Sequence, residues 1–396
     1  MIAYVKTWLD NLCIQKVSIL WAKSGLIEQA EQEGIAKSYI TGYKEHGILS
    51  RIGIFVFTLI IMGSAFGLLS IFIFSNGRNS DTIAKVVSIF YGLCCYAFAE
   101  FFVKDNRFIK TGVMEALLYT AVGFLDAGIV MIVTNNEANL SPLAVSIAVF
   151  PLLAFVAIRF ADSFLTLLAF ISFLVMNALL LFELKSMGKM ILPFETMALS
   201  FLCYWIIIKQ KDKEELRFWS KCITVLEIAS LTALYIAGNY MAIRMLTGSL
   251  LGIDIGPGED IGLAPFFYAY TIIVPLIYIG LGLKRKNYIF MRLGLILFAT
   301  GILSIKYYHS FMPPETALMI GGIAMIVIAW VCIRYLKTPK HGVTFAANEH
   351  SEKHKVMADI AGIAISQVMS NHPQPTKPDK QFGGGDFGGG GAGTDF

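Results

Sequence analysis

Glu115, Tyr119 and Asp126 stand at helical spacing inside one of the most apolar stretches of this 396-residue chain. At about 100° per residue they fall within about 40° of one another on a helix. A second stretch repeats the pattern with Ser220, Thr224 and Glu227, within about 60° on the same count, and with Ser230 at the edge of that face. A charge at the centre of a bilayer costs at least about 2.5 kcal/mol on insertion scales, so acids in such stretches need a reason. A carboxylate kept neutral there could carry a proton, and two carboxylate-bearing stripes could line an intramembrane polar pathway. The same residues would serve only to fix helix packing if each acid bonded a neighbouring Tyr, Asn or Lys. The spacing alone leaves both readings open.

A second group of polar residues falls between apolar blocks. Asp254, Glu259 and Asp260 lie in a Gly- and Pro-rich loop, residues 248–260, and could bind a cation or gate a cavity; a solvated turn accounts for them equally. His309 follows Lys306-Tyr307-Tyr308, the composition of an interfacial aromatic belt. Glu195-Thr196 and Glu315-Thr316 each follow a proline, where an acid in a helix's first turn suits the dipole. The chain carries no GxxxxGK[ST], HExxH, CxxC or GxSxG pattern. No catalytic residue, metal site or cofactor is implied.

The elements that must position these residues are hydrophobic helices. Hydrophobic residues make up 56% of the chain and charged residues 15%, against about 25% charged in soluble domains. Mean hydropathy is +0.66. Ten apolar blocks, at 52–74, 83–102, 111–133, 140–158, 164–182, 194–208, 218–240, 265–283, 288–305 and 314–333, approach the roughly 20 residues of a membrane span. The expected fold is all-α, a polytopic transmembrane helical bundle of about ten spans. Lys and Arg concentrate in alternate loops, which places both termini on the cytoplasmic side. The net charge of +4 reflects that topology, and no nucleic-acid partner is implied. The six cysteines read as packing residues.

The last eight blocks resemble one four-span unit written twice, at about 111–215 and 218–337. Leu140-Ser141-Pro142 and Pro151 in one block match Ala264-Pro265 and Pro275 in another; Pro193-Phe194-Glu195-Thr196 matches Pro314-Glu315-Thr316. A parallel repeat would set any functional centre between its copies. Residues 1–50 form a cytoplasmic helical segment before the bundle of 51–337. Residues 338–396 form a cytoplasmic tail with an amphipathic helix at 351–370 and a glycine-rich, disordered end.

Gly25-Leu26-Ile27-Glu28-Gln29-Ala30, followed by a helix and the first span, resembles the opening of a family of predicted bacterial polytopic membrane proteins with a short cytoplasmic helical segment and no established function. The tail from Phe382 to Phe396 is similar to the Gly- and Phe-rich tails of assorted bacterial membrane proteins. The resemblances imply a bacterial inner membrane and assign no site residue. The sequence names no substrate. A transporter-like or transport-accessory protein is the leading expectation; a membrane-embedded enzyme acting on lipid-linked substrates, or a scaffold recruiting partners through its cytoplasmic ends, is the alternative. Its expected partners are the lipid bilayer and, through those ends, other proteins or further copies of itself.

Overall fold

The computed structural model describes residues 2–43, 47–74, 80–105, 108–134, 142–211, 213–251, 260–285 and 287–308, with scattered helical positions between Thr316 and Arg334. Among these residues the chain is all-helical. Two short helices, α1 (Lys6–Lys23) and α2 (Gln29–Ser38), precede the bundle. Glu28 opens α2 with a capping box to Glu31, which satisfies backbone donors that a helix start leaves bare. The bundle begins with α3 (Ile48–Phe74), α4 (Ser80–Lys104) and α5 (Val113–Val133). It continues with α6 (Pro142–Phe160), α7 (Ser163–Phe182) and α8 (Lys185–Gln210). A 3-10 turn, Glu214–Trp219, leads into α9 (Ser220–Ile236), then α10 (Tyr240–Leu251), α11 (Ala264–Arg285) and α12 (Tyr288–Tyr308).

Eight helices among the described residues are long and apolar enough to cross a membrane, and α12 contains a ninth, shorter apolar stretch. Their outward faces are broadly hydrophobic: Phe57, Ile60, Leu68, Phe90, Ile171 and Ile273 are all exposed. So much exposed apolar area would be untenable in water and is what a lipid solvent demands. The protein is a helical, multi-pass integral membrane protein. The tenth expected span lies largely outside the described residues, as do Glu315 and the tail.

Two expectations need correction. Pro193 does not open a span: it lies inside α8, which begins at Lys185. The apolar run Met190-Ile191-Leu192 extends the helix backwards through the proline, which membrane helices tolerate. Glu195 is therefore not in a first turn, and the capping role does not hold for it. The stretch left between the apolar blocks 218–240 and 265–283 is also half helical, because α10 occupies Tyr240–Leu251.

The most extensive helix pairings among the described residues are α4 with α5, α11 with α12 and α6 with α7. Two glycines make the α11–α12 approach close. A Cβ at Gly294 would come within 2.9 Å of Ile279 N and 3.0 Å of Pro275 O; one at Gly282 would come within 2.7 Å of Met291 N. Backbone cannot yield as a side chain can, so the helices would have to part. Gly294→Ala is expected to destabilise the folded protein by about 1–3 kcal/mol, while Gly280→Ala, whose Cβ meets nothing within 4 Å, has no such effect. Thermal melts of the two variants in detergent check this.

Candidate functional site: a charged cavity at one end of the bundle

A cavity of about 440 Å³ opens where α3, α5 and α7 begin and α6 ends, with the N-terminal segment across it. Its lining carries Arg51, Lys110 and Lys221 together with Glu115 and Asp162, and Tyr4, Tyr119, Ser163 and Ser220 add hydroxyls. Each has a local reason to be there. Gly112 precedes α5 at φ +91°, a conformation that favours glycine, and a Cβ there would run into the Arg51 carbonyl oxygen. Glu115, three residues on, accepts from the Gly112 N–H at 2.8 Å. Its other oxygen accepts from Arg51 at 2.5 Å. One buried carboxylate thus starts α5 and ties it to α3.

Asp162 occupies the short turn between α6 and α7. Its Oδ1 accepts from the N–H groups of Phe164 and Leu165 at 3.0 and 2.9 Å, the N-cap arrangement that satisfies a helix's bare donors. The Tyr119 hydroxyl stands 3.4 Å from both Asp162 oxygens. Burial pushes the Asp162 carboxyl above its ordinary 3.8, against the lowering pull of its two backbone donors. Burial, reinforced by the Glu115 and Asp162 charges, likewise raises the Tyr4 phenol. Lys110 and Ala161, both on the lining, hold positive φ values of 49° and 48°. A non-glycine residue there stores on the order of 1 kcal/mol or more, and such strain concentrates at functional sites.

The wall is closed by the ends of other elements. The last carbonyls of α6 have no helical partner of their own. Arg159 O accepts from the Ala3 N–H at 2.8 Å, and Ile158 O accepts from the Trp219 indole at 2.8 Å. Arg159 forks onto Glu100 of α4 at 2.7 and 3.0 Å, and Arg217 pairs with Asp10 of α1 at 2.7 Å. The N-terminal segment is pinned again where the Val5 N–H donates to the Tyr43 hydroxyl at 2.6 Å.

The sequence candidates divide among several places. Glu115, Tyr119 and Ser220 come together on this cavity. Glu227 and Ser230 are fully buried elsewhere, on the face of α9 that meets α8 and α11. Asp126 lies deeper on α5, with one carboxylate oxygen buried and unpartnered, and Thr224 bonds the Ser220 carbonyl within its own helix. Neither lines the cavity. Asp254, Glu259 and His309 lie outside the described residues. Asp260 accepts hydroxyl hydrogen bonds from Tyr240 at 2.7 Å and Tyr268 at 3.0 Å.

Sequence reading missed Asp162, Arg51, Lys110 and Lys221. Asp162 carried a usable signal, an acid immediately before Ser163 and an apolar helical run. A larger cleft of about 730 Å³ runs between α7, α8, α9 and α10, lined by apolar side chains save Thr196 and Thr232. It offers a hydrocarbon chain contact and nothing for chemistry. Comparison with protein-family models, curated proteins and solved structures finds no match for this chain.

A carboxyl whose native value is raised binds its proton more tightly folded than unfolded. Stability should therefore fall as pH rises from the ordinary carboxylate value of 3.8 through the raised native one, and the penalty is fully present above that. Asp162→Asn keeps an N-cap acceptor and removes the penalty, so at neutral pH it should melt no lower than the wild type. Asp162→Ala should lose about 1 kcal/mol. Melting curves at neutral and acidic pH separate the two effects, and the advantage of Asn over Asp should vanish in acid.

Proposed function

We propose that this membrane protein is transporter-like or transport-accessory and that the charged cavity binds a small charged solute. The observation that carries the reading is a roughly 440 Å³ space at one end of an apolar bundle, lined by acids and bases together. Charged side chains are costly near lipid unless they pair or serve a ligand. Here Glu115 and Arg51 pair, while Asp162, Lys221 and the two tyrosines extend the polar lining beyond what that pair needs. Mixed charge favours a solute bearing a cationic and an anionic group over a simple ion. On α5 the lining reaches no further than Tyr119, which supports a binding mouth accessible from one side.

In this reading the cavity end is cytoplasmic. Arg51, Lys104, Lys110, Arg159, Lys209, Lys211, Arg217, Lys284 and Arg285 all belong to helix ends or turns assigned to that side by their charge. The parallel repeat gains support from α6–α7 and α11–α12, two close-packed pairs each with a proline inside its first helix.

The test is a melting screen of detergent-purified protein against amino acids, polyamines and phosphorylated sugars. A solute that binds the folded state raises the melting temperature by mass action, worth about 2.7 kcal/mol at a hundred times its Kd. The expected result is stabilisation by a class of charged solutes, lost in Glu115→Gln and Lys221→Met. A panel with no stabilising member, or stabilisation unchanged by both substitutions, would refute the reading.

A further inference from the structure

The cavity uses the base of α9 and leaves its middle unexplained. Glu227 is fully buried, about 10 Å along α9 from Ser220 by the rise of a helix. Lys211 donates to Glu227 Oε2 at 2.5 Å, but Oε1 is buried with no partner among the protein's own atoms. Across the interface on α8, the Tyr204 hydroxyl stands near Glu227 and Arg285 and is also buried without a partner. Ser200, one turn deeper on α8 and fully buried, has an unpartnered hydroxyl too. Each such group costs about 1–3 kcal/mol if left bare. Buried polar groups of this kind are ordinarily met by ordered water.

Beyond them the same face of α9 stays polar towards the other end of the bundle. The Ser230 hydroxyl donates to Glu227 O at 3.0 Å, and Tyr278 of α11 donates to Leu231 O at 3.0 Å. The Tyr235 hydroxyl accepts from Asn239 at 3.0 Å, and Asn239 Oδ1 accepts from Ser304 of α12 at 2.9 Å. Next comes Tyr240, whose hydroxyl accepts from Arg244 at 2.9 Å and donates to Asp260. Ser230, Tyr278, Tyr235, Asn239, Ser304 and Tyr240 are all buried. A file of separate polar clusters therefore runs from Lys211 at one end to Asp260 at the other, through helices whose outer faces are apolar.

We infer that the α8–α9–α11–α12 unit carries a proton pathway, with Glu227 as its carrier carboxylate and water joining Glu227, Tyr204 and Ser200 to the Tyr235–Asn239–Ser304 hydrogen bonds. A hydronium at the Lys211 end gives its proton to Glu227 Oε1, forming the carboxylic O–H and leaving water. Glu227 passes that proton to water on its far side and returns to carboxylate. Beyond it each enclosed water and each hydroxyl in turn accepts one proton and releases its own; Asn239, whose amide donates to Tyr235 and accepts from Ser304, holds these hydroxyls in place and takes no part in the transfer, so charge crosses and no other bond changes. The file is separate from the solute cavity, and the inference goes beyond that reading.

The experiment uses the full chain in phosphatidylethanolamine–phosphatidylglycerol vesicles loaded with a pH-sensitive dye and driven by a valinomycin-imposed potassium potential. Wild-type vesicles are expected to acidify faster than protein-free vesicles, with loss of that excess in Glu227→Gln and Tyr204→Phe and its retention in Thr224→Ala. Tyr204→Phe removes the hydroxyl and keeps the ring, and a melting temperature at the wild-type value shows that its loss of flux is not unfolding. Wild-type acidification no faster than protein-free vesicles, or wild-type rates in both Glu227→Gln and Tyr204→Phe, would overturn the inference. So would sodium entry without acidification when sodium replaces the proton as the driven ion. Solute-dependent melting is read separately, so the cavity reading stands or fails on that measurement alone.

Discussion

Bulk solvent is kept from the level of the bundle at which Glu227, Ser230, Tyr235 and Asn239 sit, and polar groups there find partners within the protein or in enclosed water. That constraint orders the rest of the structure. It sends most charges to helix ends, where they join neighbours, Arg51 with Glu115 and Arg159 with Glu100, while Lys211 at the end of α8 reaches Glu227 in the middle of α9. It also recruits atoms from distant parts of the chain to cover bare helix ends, as Ala3 and Trp219 do for the last carbonyls of α6. Ion pairs of this kind are weak evidence of stability where water reaches them. Breaking a buried one strands a charge and costs several kcal/mol. The pairs therefore act chiefly to fix which helix ends may meet, and the cavity is the space that their meeting encloses.

How much of this could be read from sequence follows from the range over which each signal acts. Apolar blocks are local, and most helix positions agree with them within a few residues. Pro193 misled because proline is a strong helix boundary in water and a tolerated interior residue in lipid. The helix α10 was hidden in an expected loop because twelve residues are too few to read as a span and Arg244 interrupts the run. The helical spacing of Glu115 and Tyr119 correctly placed them on one face, and spacing also gave Glu227 and Ser230 a common side of α9. It could not say that those two pairs face different spaces. Arg51 meets Glu115 across 64 positions of sequence, and no periodicity within either helix reports a partner so far away.

The helix α9 shows why the two polar regions stay apart. Ser220 and Lys221 at its base belong to the cavity. Glu227, Ser230, Leu231 and Tyr235 turn towards α8, α11 and α12. Val225, Ile228, Ala229, Thr232, Ala233 and Ile236 turn to the apolar cleft. At about 100° per residue, Ile236 points about 180° from Glu227 and Ala229 about 160°, so the apolar stripe lies opposite the carboxylate. Cys222, buried beside Thr166 and Ser163 at the start of α7, packs α9 against α7 between the base of α9 and its middle. A solute seated in the cavity therefore meets α9 only at its first turn, while the polar file begins two turns further along and on another side. Any coupling between the two would have to pass through movement of α9 as a rigid element, since they share that helix and no side chain.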